Sequence, residues 1–256
     1  MAKSLAVVLL IFLSFTVHAQ SWEIGGMLGG AGYMGDLNQT NPLKVSGIAA
    51  GLFVKRNFNG YLSAKLGYTY GTISGADSLS KDQQYRNRNL SFRTQLNEIS
   101  LTGEFNLMKY IPSVSQNMYT PYIFAGIAYT RYNPQADYAG QTYNLRPLQT
   151  EGKAYAENAI AVPFGVGIKY NIAGALTLAA ELGYRTAYTD YLDDVSGSYA
   201  DKSIFPPASV ALALSDRSVG QTAAAGTQRG DMRPHDTYMF VGFTISYTFI
   251  TQKCYY

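Results

Sequence analysis

Charge, cysteine, histidine and long apolar runs are all scarce in this chain, and each scarcity removes a class of protein. Only 14% of the 256 residues are charged, against about 25% in ordinary soluble domains. The single cysteine, Cys254, excludes an intrachain disulfide and a thiolate metal cluster, and reads as a free thiol near the terminus. The net charge of +3 is a small difference between 20 basic and 17 acidic residues spread along the chain. It forms no basic stripe, so no nucleic-acid partner is expected. Beyond residue 19 no apolar run approaches the roughly 20 residues that a transmembrane helix needs. The glycines from Gly25 to Gly32 are followed by no helical pattern, which argues against a nucleotide loop, and no cofactor is expected.

What is present is aromatic and alternating. There are 22 tyrosines and 25 glycines, and the mean hydropathy is near zero because apolar and polar residues take turns. Residues 1–19 carry Lys3, an apolar core from Leu5 to Val17 and the small-x-small triplet Val17-His18-Ala19. They read as a secretory signal peptide cut before Gln20, leaving 20–256 as one domain. In the segment from Thr237 to Ile250, Met239, Val241, Phe243, Ile245, Tyr247 and Phe249 alternate with Gly242, Thr244, Ser246 and Thr248. A period of two is a strand. A large apolar face opposite a small hydroxylated one suits a strand with lipid on one side and a crowded polar interior on the other.

The same alternation recurs along the chain. It is weak from Trp22, and continues over Val45 to Arg56, Tyr61 to Gly71, Gln95 to Leu107, Thr120 to Tyr132, Ala159 to Tyr170 and the segment containing Leu176 to Tyr184. Thr120 to Tyr132 is apolar on both faces and its facing is undetermined. Short connections at 57–60, 108–119 and 171–174 alternate with a turn-rich break at 35–42 and long polar loops at 72–94, 133–158 and 187–236. Asn59-Gly60 predicts a tight hairpin. The fold class is therefore all-β: an eight-stranded antiparallel transmembrane β-barrel of outer-membrane type, with short periplasmic turns and long outer loops. Its expected place is the bacterial outer membrane, after signal-peptide-directed export.

The interior of an eight-stranded barrel is just wide enough for side chains to fill it. The strand phases direct Glu23, Lys65, Glu98, Glu104, Lys169, Glu181 and Arg185 inward, with Lys55 a further candidate. These charges should pair, since an unpaired buried charge is costly. Lys65 with Glu104 is a geometrically plausible pair: the two lie at similar distances from the same end of neighbouring strands. The set reads as a structural polar core and not as an ion relay.

No nucleophile-and-base pair stands out, and no enzyme is expected. His235, the only histidine after residue 19, sits in a loop. Asp190, Asp193 and Asp194 lack the Asp-x-Asp-x-Asp-Gly order of a helical calcium loop, so they read as a solvated or loop-folding group and no metal site is assigned.

The segments TDYLDDVSGSYAD (189–201), LSDRS (214–218), RGD (229–231) and the closing DTYMFVGFTISYTF resemble the PorG-like outer-membrane barrel family of the Bacteroidetes type IX secretion system. WEIGGMLGGAGYMGDLN (22–38) and PYIFAGIAY (121–129) are also similar to it. The resemblance implies a non-enzymatic component of a secretion apparatus, associated with a periplasmic ring built from a lipoprotein and its partner protein. Contact with such a ring would come from the periplasmic turns and the ends of the chain. The longest of these turns is expected to expose Tyr110, Ile111 and Met118 beside Lys109. Tyr247 and Phe249 resemble the terminal aromatic signal read by barrel-insertion machinery, although 251–256 places it short of the last residue. The alternative is a stand-alone structural or adhesive barrel whose long loops bind surface partners; a lipid hydrolase is more distant. Sequence leaves open whether 187–236 covers the barrel mouth.

Overall fold

Alternation has a direct structural result in the computed structural model, which describes residues 21–249. The expected signal peptide and the tail with Cys254 lie outside the described residues. Nine strands form one sheet: β1 (Ser21–Met34), β2 (Val45–Asn57), β3 (Leu62–Ala76), β4 (Ser91–Asn106), β5 (Tyr119–Tyr138), β6 (Gln141–Asn144), β7 (Asn158–Ala173), β8 (Leu176–Ala187) and β9 (Thr237–Phe249). All except β6 make up a closed antiparallel barrel. Each pairs with its chain neighbour, β5 with β7, and β1 closes on β9 with Trp22 opposite Phe249. Strand β6 is a short flap on the far end of β5.

The outer wall is apolar. Leu28 and Leu52 are each 72% exposed, and Ile48, Leu66, Ile99, Leu101, Ile127, Val166 and Phe243 are exposed with them. So much exposed aliphatic surface has no satisfactory solvent in water. On β5 the outward residues change from Ile123, Ala125, Ile127 and Tyr129 to Arg131 and Asn133. The run from Tyr119 to Tyr129 matches the roughly 9–11 residues with which a tilted strand crosses a bilayer. Aromatics mark the lower margin: Trp22, Tyr61, Phe105, Tyr119, Tyr170, Tyr247 and Phe249 are all exposed there, the arrangement expected where apolar rings meet headgroups. Tyr247 and Phe249 contact each other edge to face at 5.1 Å.

The expected phases hold on β3, β4, β7, β8 and most of β9. Strand β5 resolves with Tyr122, Phe124, Ala128 and Tyr132 inward. Met239 is a correction. Although it is on the outer face, it is 2% exposed because it packs beside Gly32, where a Cβ would meet both Met239 and the carbonyl of Lys44. Several strands are also longer than expected. Strand β3 runs on to Ala76, β4 starts at Ser91 and β5 reaches Tyr138, so the loops at 72–94 and 133–158 are narrower than their polarity suggested.

The three short connections, 58–61, 107–118 and 174–175, share one end of the barrel. Gly60 is not at a left-handed turn position as the Asn-Gly signal implied. It is required because a Cβ there would strike the side chain of Lys109, and its carbonyl accepts from the amide of Tyr110 at 2.9 Å. At the opposite end the loops fold into a cap. The β3–β4 loop contains the short helix α1 (Gln83–Arg88), whose N-capping Asp82 side chain accepts from the amide of Gln84. The segment 188–236 contains α2 (Val210–Ser215) and does cover the mouth. Leu192, 0% exposed, joins Tyr33, Phe92, Leu96, Tyr132, Tyr238 and Phe240 in the main apolar core, which fills the upper lumen. Leu214 packs with Ala136 and Leu145 beneath the β5–β6 flap.

Candidate functional site

Below this apolar plug the inward-facing ionisable residues meet in the lower lumen. Glu104 on β4 is 2% exposed and lies between three lysines: Lys169 on β7 at 2.7 Å, Lys65 on β3 at 3.2 Å and Lys55 on β2 at 3.4 Å. Lys55 also pairs with Glu23 on β1 at 2.8 Å, and Lys65 with Glu181 on β8 at 2.7 Å. Tyr122 donates its hydroxyl to Glu181 at 2.8 Å, and Lys169 donates to the side-chain oxygen of Asn106 at 2.9 Å. The expected Lys65–Glu104 pair is thus present. The connection to Glu181 spans the lumen, and Lys55 belongs to the network's centre.

A second group sits higher. Arg185 donates to Glu98 at 3.2 Å and Tyr238 donates to the same carboxylate oxygen at 2.8 Å, while the Arg185 guanidinium lies 4.5 Å from the Phe240 ring centre. The carboxylates Glu23, Glu98, Glu104 and Glu181 are matched in number by Lys55, Lys65, Lys169 and Arg185, so their summed formal charge is zero. Neutrality is what allows these groups to be withdrawn from water together. In register, Lys55 stands directly opposite Lys65, a like-charge pairing that is unfavourable by itself. Glu104, within reach of both, compensates it.

The short-turn end is closed by Tyr110, whose position corrects the expectation that it is exposed. It is buried, with its hydroxyl 2.8 Å from that of Thr177, because the turn folds inward under the strands and its amide is held by Gly60. Pro112 is buried beside it. The space left between this turn and the network is about 10 Å³, room for roughly one water molecule. Ile111 is half-buried, whereas Lys109, Val114 and Met118 face outward.

At the opposite end, of the two roles expected for the acidic loop group, solvated or loop-folding, the structure shows the second: Asp193 and Asp194 are buried and Asp190 is half-buried. Asp194 accepts from Thr150 and from Tyr155, each at 2.5 Å. Burial pushes its carboxyl up to about 6, against the lowering influence of Arg229 and these hydrogen bonds. Arg229, the first residue of the RGD segment, is 3% exposed and pairs with Glu151 at 3.0 Å. Asp216 of LSDRS binds Lys202 at 2.7 Å. The segments that carry the family resemblance outside the strands are therefore mostly the internal ties of the cap. His235 is exposed, edge-on to Tyr188 at 4.8 Å.

The family described as Domain of unknown function (DUF6089) matches residues 2–208, and the chain belongs to it. No curated protein matches. Among solved structures the chain is similar to a major outer membrane protein from Thermus thermophilus, at 14% identity and a TM-score of 0.47, covering 91% of this chain and 100% of that one. It is also similar to Neisserial surface protein A, at 10% identity and a TM-score of 0.45 over 90% and 97% of the two chains. The N-terminal β-barrel domain of Pseudomonas aeruginosa OprF matches at 13% identity and a TM-score of 0.41 over 91% and 100%.

Proposed function

We propose that this chain is a non-enzymatic, non-conducting barrel of the outer membrane that serves as the membrane-embedded subunit of a protein-secretion apparatus of type IX. The observation that carries the membrane and non-conducting parts is the continuous apolar wall around a lumen filled by a charge-matched network below and an apolar plug above. A channel would need a water-filled path, and here aromatic side chains, paired charges and the Tyr110 turn occupy its course. The assignment to type IX secretion rests on the resemblance of the cap and strand segments to the PorG-like family. The periplasmic ring lipoprotein and its partner protein would then meet the short-turn end, where Lys109, Val114 and Met118 offer one cation flanked by apolar side chains, with Ile111 half-buried beside them. Tyr110 holds the turn in place from within.

The direct test is recovery of the tagged barrel from crosslinked outer membranes. Co-recovery of the ring lipoprotein is expected with the native chain, and its loss when Lys109, Val114 and Met118 are replaced together by Ser. These positions leave Tyr110 and Pro112 intact, so the folded barrel should persist. Recovery of the barrel without ring components would instead favour the second reading, a stand-alone structural or surface-binding barrel. An ordered cap with Ile204, Val219 and Met232 exposed supports that reading.

A further inference from the structure

Five aspartates from three distant parts of the chain converge where the cap meets the barrel mouth. Asp36 follows β1, Asp190 and Asp193 lie just beyond β8, Asp231 comes late in the long loop and Asp236 precedes β9. Oxygen atoms of Asp36, Asp190 and Asp231 all lie within 4.8 Å of one another, as do those of Asp36, Asp193 and Asp236. Asp36 is common to both sets and is 2% exposed. Its Oδ1 accepts from the amide of Asp231; its Oδ2 is shut off from solvent with no hydrogen-bond partner. Asp231 Oδ2 is likewise enclosed without a hydrogen bond, with Arg233 Nε 3.4 Å away.

Compensation for this charge is meagre. Among the described residues no lysine or arginine pairs with Asp36, Asp190, Asp193 or Asp236. Arg88, whose charge acts on Asp36 and Asp193, forms its ion pair with Asp77 and donates to the backbone carbonyl of Asp36. Tyr33 has one hydroxyl proton to share between Asp193 at 2.6 Å and Asp236 at 3.2 Å. Gly35 admits these groups: a Cβ there would collide with Asp236 and the Tyr33 hydroxyl. Burial, reinforced by the neighbouring carboxylates, pushes Asp36 up to about 8 and Asp190 up to about 7. It raises Asp193 and Asp236 as well.

From the enclosed, unpartnered oxygen of Asp36 and the convergence of Asp190 and Asp231 upon this residue, we infer that the barrel mouth binds a divalent cation, calcium by preference. The donor set is carboxylate oxygen alone, which suits hard cations and not zinc or copper. It is assembled from irregular loops, and calcium tolerates irregular coordination where magnesium demands a regular octahedron. Asp36, Asp190 and Asp231 are the ligands. Asp193 and Asp236 lie deeper, with Asp193 Oδ1 and Asp236 Oδ2 held by the amides of Val195 and Leu192, and strengthen the negative potential. The ion would clamp the long loop to the β1–β2 connection and so lock the cap.

Calorimetric titration of calcium chloride into the folded full-length mature barrel in detergent tests the site, with magnesium chloride as comparison. Saturable binding near one equivalent is expected, with a dissociation constant on the order of 10⁻⁴ to 10⁻³ M, the range of extracellular calcium modules. Magnesium should bind at least about tenfold more weakly. Asp190→Asn and Asp231→Asn replace half-buried ligands, so the heat-resistant folded band on a gel should survive while calcium affinity falls by about tenfold or more. Absence of calcium binding through the millimolar range by a barrel shown to be folded would overturn the inference. Unchanged affinity in both variants would overturn it as well. Neither outcome depends on a secretion partner.

Discussion

Glu104 is the residue on which the lower lumen depends. Three lysine ammonium groups within 3.4 Å share one carboxylate, and two of those lysines face each other across β2 and β3. Glu104→Gln keeps the shape and removes the charge, leaving the lumen with one uncompensated cation. A destabilisation of roughly 3–5 kcal/mol is expected, the usual cost of breaking a buried pair, read as a lower urea midpoint of the folded band. Lys65→Glu should be at least as severe, because it places a new carboxylate between Glu104 and Glu181. An unchanged band in either variant would remove the network from the list of what holds the barrel together. The pair Lys65–Glu104 was legible in the sequence because both residues lie on neighbouring strands at similar heights. Glu181 as a partner of Lys65 was not, since β3 and β8 meet only across the lumen. The five aspartates were hidden for a similar reason: they are spread from Asp36 to Asp236 and only closure of the barrel brings them together.

Strands were readable where they cross lipid and misread where they leave it. Within the belt, outward residues are apolar and most inward ones polar or small. Above it the relation reverses: β4 turns Arg93, Gln95 and Asn97 outward and Phe92 and Leu96 inward, because the outside is now water and the inside is the apolar plug. The same reversal occurs on β3 around Ile73 and on β5 around Ala136. A reader following one phase loses the strand at the crossing, which is why 72–76, 91–94 and 133–138 read as loops in the sequence. Strand β5 was ambiguous for a related reason, since Tyr122 and Phe124 fill the lumen in the part of the strand that also faces lipid. Two outcomes follow for whole elements. Leu192→Ala should loosen the cap by about 2–5 kcal/mol without unfolding the barrel, seen as protease cleavage within 188–236 while the heat-resistant core persists. Changing Tyr247 and Phe249 to Ser strips the aromatic margin from β9. Failure of membrane assembly and accumulation in the periplasm are expected; a normal outer-membrane yield would show that these rings are not the assembly signal.

Taken as one body, the barrel has three layers from the short-turn end to the cap: a neutral charged network, an apolar plug and an acidic mouth. The first two fill the lumen with packed and paired side chains, and the third ties loops from opposite ends of the sequence. An apolar wall with an aromatic margin surrounds the lower layers and gives the molecule its one large demand on its surroundings. That demand can be measured. With Cys254→Ser as background, a fluorophore attached at Leu101→Cys, on the outward face of β4, is placed in vesicles whose acyl chains carry a quencher, and compared with the same fluorophore at Asn97→Cys above the belt. Strong quenching at 101 with little at 97 is the expected result, while equal and weak quenching at both positions would contradict a barrel that turns this wall to lipid.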